Sequence, residues 1–407
     1  VTDWITTEDL QSLIKPGNTL YVGGSVAEPH GLLDQLDFVS DLHFIQQPIA
    51  AVNQRDLSAL GDGCSQETYF MTPFLKTGLL AGRVGFIPMQ MRAIHRQLAK
   101  RDIDVALLLA ARDINGDLRF GLNIDYVDAA LESAKITIVE VTDAFTAPLA
   151  SQLVADSANY LFASNTPAAK YPIAEIDEVS AQIGQRVAAL IHDGDCIQTG
   201  IGAVPAAILT GLEDKNELGL HSGIIDDGAM SLIRNGNMDG RRKAVDTGEH
   251  ICGMALGSKA LHSWLEHDTS VKFRSAEYTH EAGVIQQLDN FVSINSAVEV
   301  DFSGQVNAEV VNGQQISGTG GSVDFMRAAK ASKGGRSIVA LSATARKGTL
   351  SRIVAKVEMV TALRTDVDLV VTEYGVADLK HTSLKGRAEA LIAIAHPDFR
   401  DELSAFA

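Results

Sequence analysis

The sequence predicts two tandem open α/β domains with mainly parallel sheets. Three observations carry that prediction. The chain has 407 residues, more than one ordinary core organises, so two domains of about 150 to 200 residues each are the natural division. Short apolar runs alternate with helical patterns. One strand–turn–helix unit occurs twice.

In the first half the apolar runs are TLYVGG (19–24), VGFIP (84–88), DVALLLAA (104–111) and ITIVEVT (136–142). In the second half they are CIQTGIG (196–202), ICGMAL (251–256), FVSINSAVEVD (291–301), SIVALSA (337–343) and DLVVTEYG (368–375). Several are continuous rather than alternating, the pattern of strands buried on both faces. VSAQIGQRVAALIHDG (179–194) carries apolar residues at helical spacing and stops at Asp-Gly. LKGRAEALIAIAHPDF (384–399) is a second helix, expected to close at its proline.

The repeat pairs GNTLYVGGSVAEPHGLLDQL (17–36) with GDCIQTGIGAVPAAILTGL (194–212). Both run Gly, polar residue, apolar strand, Gly-rich turn, proline, amphipathic helix. Their separation far exceeds a solenoid period of about 20 to 50 residues, so it suits two similar domains. The boundary is placed in the polar, Pro-containing ASNTPAAKYPIAEIDE (163–178), giving domains 1–178 and 179–407.

Bulk composition excludes several function classes. Hydrophobic residues make up 46% and charged residues 21%, enough apolar material for a large core. The formal net charge of -17 repels nucleic acid and anionic membranes as general partners. No apolar run approaches the roughly 18 residues of a membrane span. VTDWITTEDL at the start has no basic or apolar leader pattern. Cys64, Cys196 and Cys252 are far apart with no C-x-x-C pair, which fits free thiols in a reducing cytoplasm. His43, His95, His192 and His396 show no ligand spacing, so no metal site is expected.

TGIGAVP (199–205) is the most informative motif. Its glycines permit a tight turn and close approach of a ligand. Pro205 suits a first helical position, and the free N–H groups of a helix start attract phosphate or carboxylate. No Gly-Lys-Ser/Thr follows and the dinucleotide spacing fails; a plain packing turn is the alternative. SGTGGSVDF (317–325) is a second glycine turn, where Gly318, Gly320 and Gly321 expose backbone donors suited to an oxyanion hole or to packing alone. SATARKGTLSRIV (342–354) gathers Arg346, Lys347 and Arg352, either a phosphate-holding cluster or a solvated face. Glu373, in VTEYGVADL (371–379), ends an apolar run and either enters a cleft or bonds backbone donors. Asp227 is an acid near the turn in LGLHSGIIDDG (218–228), or a helix N-cap. His280, in SAEYTHEAG, is either a surface imidazole or a donor to substrate.

Together TGIGAVP, SINSAVEVDFSGQVNAE, SGTGGSVDF, RTDVDLVVTEYGVADL and RAEALIAIAHPDFRDEL resemble the acetyl-CoA hydrolase/transferase family, nearest to its 4-hydroxybutyrate CoA-transferase type. The resemblance covers nearly the whole chain, sharply from residue 194 onward. VGGSVAEP, RVGFIPMQM and DVALLLAARDINGDLRFG look like weaker versions of family segments. It implies two CoA-transferase-type domains, with Gly200, Ile201, Gly202, Ala203 and Val204 cradling coenzyme A and Gly320 and Gly321 at the thioester carbonyl. It also places Lys347 near the CoA moiety, Glu373 in the site and His280 near a substrate-contacting position. Coenzyme A or its acyl thioester is then a substrate, with no permanently bound cofactor. A small carboxylic acid is the other partner, and a homodimer or higher homo-oligomer is expected.

In the family's transferases, the segment like LHSGIIDDG carries a nucleophilic glutamate two residues after the histidine. That carboxylate takes the acyl group and then CoA in covalent form. Here the position is Gly223. Three readings follow: hydrolysis with Glu373 or Asp227 orienting water; transfer through another carboxylate among Asp226, Asp227 and Glu373; or acyl-CoA binding without turnover. A sugar-phosphate isomerase-like protein on the same architecture is a rival that the C-terminal motifs disfavour.

Overall fold

A computed structural model describes residues 3–406. The chain forms two compact units. One runs to Pro172 and also takes in Ile251–Thr279; the other comprises Ile173–His250 and continues from His280. The stretch from Ile251 to Thr279, expected within 179–407, therefore clusters with the first unit. Of the opening segment VTDWITTEDL, Val1 and Thr2 lie outside the described residues.

The first unit is built on β1 (Asp3–Ile5), β2 (Thr19–Val22), β3 (His43–Gln46), β4 (Ser65–Thr68), β5 (Val84–Phe86), β6 (Ile103–Arg112), β7 (Leu118–Phe120), β8 (Ala134–Thr142) and β9 (Tyr160–Ser164). Their order in the sheet is β1-β9-β8-β6-β2-β3-β4-β5, with β7 alongside β6. Every pair on the main path is parallel, and β7 is antiparallel to β6. The continuous apolar run of β6 is the reason it lies inside: Val105 through Ala111 are buried, as a central parallel strand requires. Leu20, Val22, Phe44, Leu107 and Ile138 join one core with Leu10 and Leu33 from the flanking helices.

The second unit opens with helix α1 (Glu178–Ala188), whose N-cap Asp177 accepts from the Ser180 N–H at 2.7 Å. Its sheet contains β10 (Cys196–Gln198), β11 (Gly219–Leu220), β12 (Phe291–Ser296), β13 (Arg336–Ala340), β14 (Leu369–Thr372) and β15 (Gly375–Asp378). The order is β11-β10-β12-β13-β14-β15. All neighbours are parallel except β14 and β15. Val339, Val370 and Leu391 centre the main core of this unit.

Two element expectations shift. The run 291–301 is not one strand. It breaks after Ser296, and Glu299–Asp301 joins a separate small sheet with Val306–Asn307 and Ile353–Val354. Pro397 does not close the helix that starts at Leu384. That helix ends at Ala393, and Pro397 begins another, Pro397–Ser404, where its missing N–H costs no bond. The three cysteines are buried free thiols. Among the described residues, no helix is long and apolar enough to cross a membrane.

Candidate active site

In an open parallel sheet, ligands bind beyond the carboxyl ends of the strands where the strand order reverses. In the second unit the chain leaves β10 for β11 on one side, then crosses to β12 on the other. The reversal lies between β10 and β12. TGIGAVP follows β10 there, and Gln198 and Asn295 face each other across it. Asn295 Nδ2 donates to Gln198 Oε1 at 3.2 Å. Both are buried, and their mutual pairing offsets the cost of burying polar groups.

Helix α2 (Ala203–Thr210) starts from Gly202, whose φ of 114° only glycine adopts readily. A Cβ placed on Gly200 or Gly202 would meet nothing within 4 Å. These glycines therefore face room rather than a packed wall. Pro205 is the third residue of the helix rather than the first; its nitrogen is still among the early positions that make no intrahelical bond.

The turn after β11 is tied to this one: Ser222 Oγ donates to the Thr199 carbonyl at 3.3 Å. Gly223 follows. A Cβ there would lie 3.0 Å from His280 Cε1 and 3.1 Å from Nε2. On the other side, a Cβ on Gly321 would lie 2.2 Å from His280 Nε2 and 2.5 Å from Cδ2. One imidazole thus stands between the two glycines. Phe325 backs it with ring centroids 4.5 Å apart. His280 is 1% exposed, so the surface-imidazole expectation is corrected: the ring is core material of the second unit. Burial pushes its pKa down to about 3, leaving the ring neutral at neutral pH.

Gly321 is the N-cap of α4 (Ser322–Ala331), and α3 (Asp227–Arg234) follows the Gly223 turn. The N-cap of α3 is Asp226, not Asp227: its Oδ1 accepts the Ala229 N–H at 2.9 Å. Burial pushes the Asp226 carboxyl up to about 6. Asp227 is the first helical residue. Glu373, directly after β14, accepts the Ala343 N–H on Oε2 at 2.8 Å. One Glu373 carboxylate oxygen therefore bonds a backbone donor, as one of the two sequence readings expects. Its backbone carbonyl accepts from Arg186 Nε at 3.1 Å. Arg352, unlike the exposed Arg346 and Lys347, is partly buried: burial lowers its pKa and the Glu373 charge opposes that shift. Lys347 sits exposed on the turn between Thr344–Ala345 and Leu350–Ser351, where Arg346, Lys347 and Gly348 all have positive φ.

The structure brings together Gly223, His280 and Gly321, with Gly200–Val204 tied to them through Ser222. Sequence reading missed Phe325, Gln198 and Asn295. The last two had a signal, since each is a polar residue inside a buried run. Among the described residues, no group of three or more His, Cys, Asp or Glu side chains gathers as metal ligands. Two glycine-bounded helix starts present backbone N–H donors of the kind that hold a phosphate, a carboxylate or an oxygen carrying developing charge.

The family model described as acetyl-CoA hydrolase/transferase C-terminal domain matches residues 257–407. A 4-hydroxybutyrate coenzyme A transferase of Clostridium kluyveri is 34% identical, over 98% of this chain and 96% of that protein. This chain belongs to the acetyl-CoA hydrolase/transferase family. RipA from Yersinia pestis has a crystal structure with a TM-score of 0.91 and 31% identity, covering 100% of this chain and 97% of that one. A 4-hydroxybutyrate CoA-transferase from Porphyromonas gingivalis matches with a TM-score of 0.79 and 30% identity, over 98% and 95% of the two chains. An acetyl-CoA hydrolase of Yarrowia lipolytica is 32% identical over 52% of this chain and 40% of its own length. The family thus contains proteins named for transfer and for hydrolysis.

Proposed function

We propose that this family member hydrolyses a small acyl-CoA, with the thioester received at the glycine turns of the second unit. Gly200 to Val204 hold the CoA moiety, with Lys347 near its phosphates, and the N–H groups of Gly320 and Gly321 receive the carbonyl oxygen. The observation that carries hydrolysis over transfer is the state of position 223. It has no side chain, and the His280 ring takes the space beside it. Asp226 is committed to capping α3, and Glu373 is fixed through one carboxylate oxygen, Oε2, on the Ala343 N–H. Without a carboxylate to take the acyl group, water is the acceptor. Its oxygen bonds to the thioester carbon and the C–S bond breaks. CoA leaves as thiolate and takes up a proton, and a carboxylic acid is released. Glu373 is the group we assign to orient the water, with Asp227 the other candidate. The setting we propose is a cytoplasmic homo-oligomer with no resident cofactor.

The test is incubation with acetyl-CoA, following free thiol with and without added carboxylates. Thiol release independent of added carboxylate is expected. Acyl exchange that needs an acceptor and frees no thiol overturns hydrolysis, and saturable binding without turnover over a broad acyl panel does the same. The sharpest variant is Gly223→Glu combined with His280→Ala. The single change puts a Cβ 3.0 Å from the ring, so the double variant is expected to show more acyl exchange than either single one. A folded, CoA-binding double variant without exchange shows that the absent carboxylate is not what limits transfer.

A further inference from the structure

We infer that the second unit carries a separate anion site, at the opposite end of its sheet from the glycine turns, and that this site takes a small phosphorylated compound. A cavity of about 530 Å³ lies there, within the roughly 300 to 1,000 Å³ usual for small-molecule sites. Its place follows from strand direction. Arg336 opens β13 and Leu369 opens β14, so both parallel strands present their amino ends to the cavity. Asp378, the last residue of antiparallel β15, pairs with Leu369 and lines it too. TGIGAVP and Glu373 follow the carboxyl ends of β10 and β14. The cavity is therefore no part of the acyl-CoA site proposed above.

Its walls hold cations that no acid balances. Lys330 Nζ lies 2.5 Å from Asp368 Oδ1, and Arg336 pairs with Asp195, so those two charges are met. Lys380 and Arg387 also line the cavity, and among the described residues neither has a carboxylate in an ion pair. Asp378 turns Oδ1 to the Lys380 backbone N–H at 2.9 Å. Arg387 is partly buried and held in place: its Nη1 donates to the Ser303 carbonyl at 2.9 Å and to the Arg364 carbonyl at 2.7 Å. A guanidinium fixed by carbonyls, with no counterion, gains most from an anion that comes to it, and its planar fork suits phosphate oxygens. His381 lines the same cavity at a φ of 59°, a left-handed conformation that costs a non-glycine residue energy and gathers at ligand sites. In a chain of net charge -17, such a concavity concentrates anions against the general field. Lys380 and Arg387 together match the nearly double negative charge of a phosphate monoester, which a monocarboxylate does not supply.

The test is calorimetric titration of the full chain with ribose 5-phosphate, inorganic phosphate and acetate, with and without CoA present. It is repeated on Lys380→Glu, a change at an exposed side chain, and on Arg387→Lys, which keeps the charge and loses the fork. Thermal melting identifies the folded variants; if Arg387→Lys unfolds, Lys380→Glu decides. Both phosphate probes are expected to bind saturably with a Kd of about 1 mM or tighter, and acetate about tenfold more weakly. Lys380→Glu is expected to weaken ribose 5-phosphate about tenfold or more, and Arg387→Lys by about threefold or more. CoA is expected to leave that affinity unchanged. No saturable binding of either phosphate probe overturns the site, as does an unchanged affinity in folded Lys380→Glu. Acetate bound as tightly as phosphate overturns the phosphate class. Displacement of the probe by CoA overturns a site separate from the glycine turns. None of these readouts uses thioester turnover, so failure here leaves hydrolysis standing, and failure of hydrolysis leaves this site standing.

Discussion

Both units place a glycine turn at the carboxyl end of the strand where the sheet order reverses, but surround it differently. In the first unit the turn after β2 is packed shut. A Cβ on Gly23 would lie 2.7 Å from the Ala27 carbonyl oxygen, and one on Gly24 would lie 2.0 Å from that of Gln47. Gln46 Nε2 donates to the Gly23 carbonyl at 3.3 Å and to Glu28 Oε2 at 2.9 Å, and Asn53 Nδ2 donates to the Ser25 carbonyl at 3.0 Å. This network holds Ser25 at a φ of 55°, a left-handed conformation that costs a non-glycine residue energy. The cavity that remains is about 10 Å³, the room of about one water. In the second unit the corresponding Gly200 and Gly202 have nothing within 4 Å of a Cβ. The lesson is that a glycine-rich turn in sequence marks a place, and the surroundings decide whether it serves packing or a ligand.

The largest expected effect breaks that comparison at Gly24. Its φ of -109° suits any residue, so only the Gln47 carbonyl stands in the way. Gly24→Ala is expected to cost about 3 kcal/mol or more, as overpacking against backbone does, read as a lower urea midpoint. A loss below about 1 kcal/mol would show that the first turn has slack.

Next in size is Gly321→Ala, expected to cost about 1 to 3 kcal/mol because its Cβ meets the ring. Combined with His280→Ala the cost is expected to shrink, giving a coupling of about 1 kcal/mol or more in a double-mutant cycle. Additive losses would separate the glycine from the ring.

The units also differ in how pH acts on them. His280 in the second unit is held near 3 by burial, below its ordinary 6.5. Between those values the unfolded chain binds the proton and the folded one does not. Stability is therefore complete above about pH 6.5 and falls as pH drops toward 3, by up to about 1.4 kcal/mol per pH unit. Asp125 in the first unit has the reverse behaviour. Burial pushes its carboxyl up to about 8 from 3.8, and its Oδ1 is buried without a partner. The folded chain keeps the proton that the unfolded chain loses, so stability falls as pH rises from about 4 to 8. Asp125→Asn is expected to flatten the alkaline side of the stability profile, and His280→Ala the acid side. Unfolding midpoints taken across pH 4 to 8 check both, and a variant that leaves its own slope unchanged refutes that assignment.

The smallest stability effect belongs to Gly200→Ala. With open space around it, the change is expected to stay within about 0.5 kcal/mol while CoA binding weakens about tenfold. A clear loss of stability with unchanged CoA affinity would make this turn a packing turn like its counterpart.

The sequence itself determined the fold class. Runs such as DVALLLAA are too continuously apolar to face water on either side, which forces parallel strands covered on both faces. It also marked the glycine turns and the carboxyl-end positions of Gly223 and Glu373, because turn chemistry is local. Pro397 was misread because proline ends one helix and begins another with equal ease, and only the surrounding chain distinguishes the two. What tertiary structure alone decided is that His280, 57 positions from Gly223 and 41 from Gly321, lies between them as a buried neutral ring. It likewise decided that one glycine turn is filled and the other open. Both outcomes depend on which distant atoms occupy a given volume, and local propensity carries no information about that.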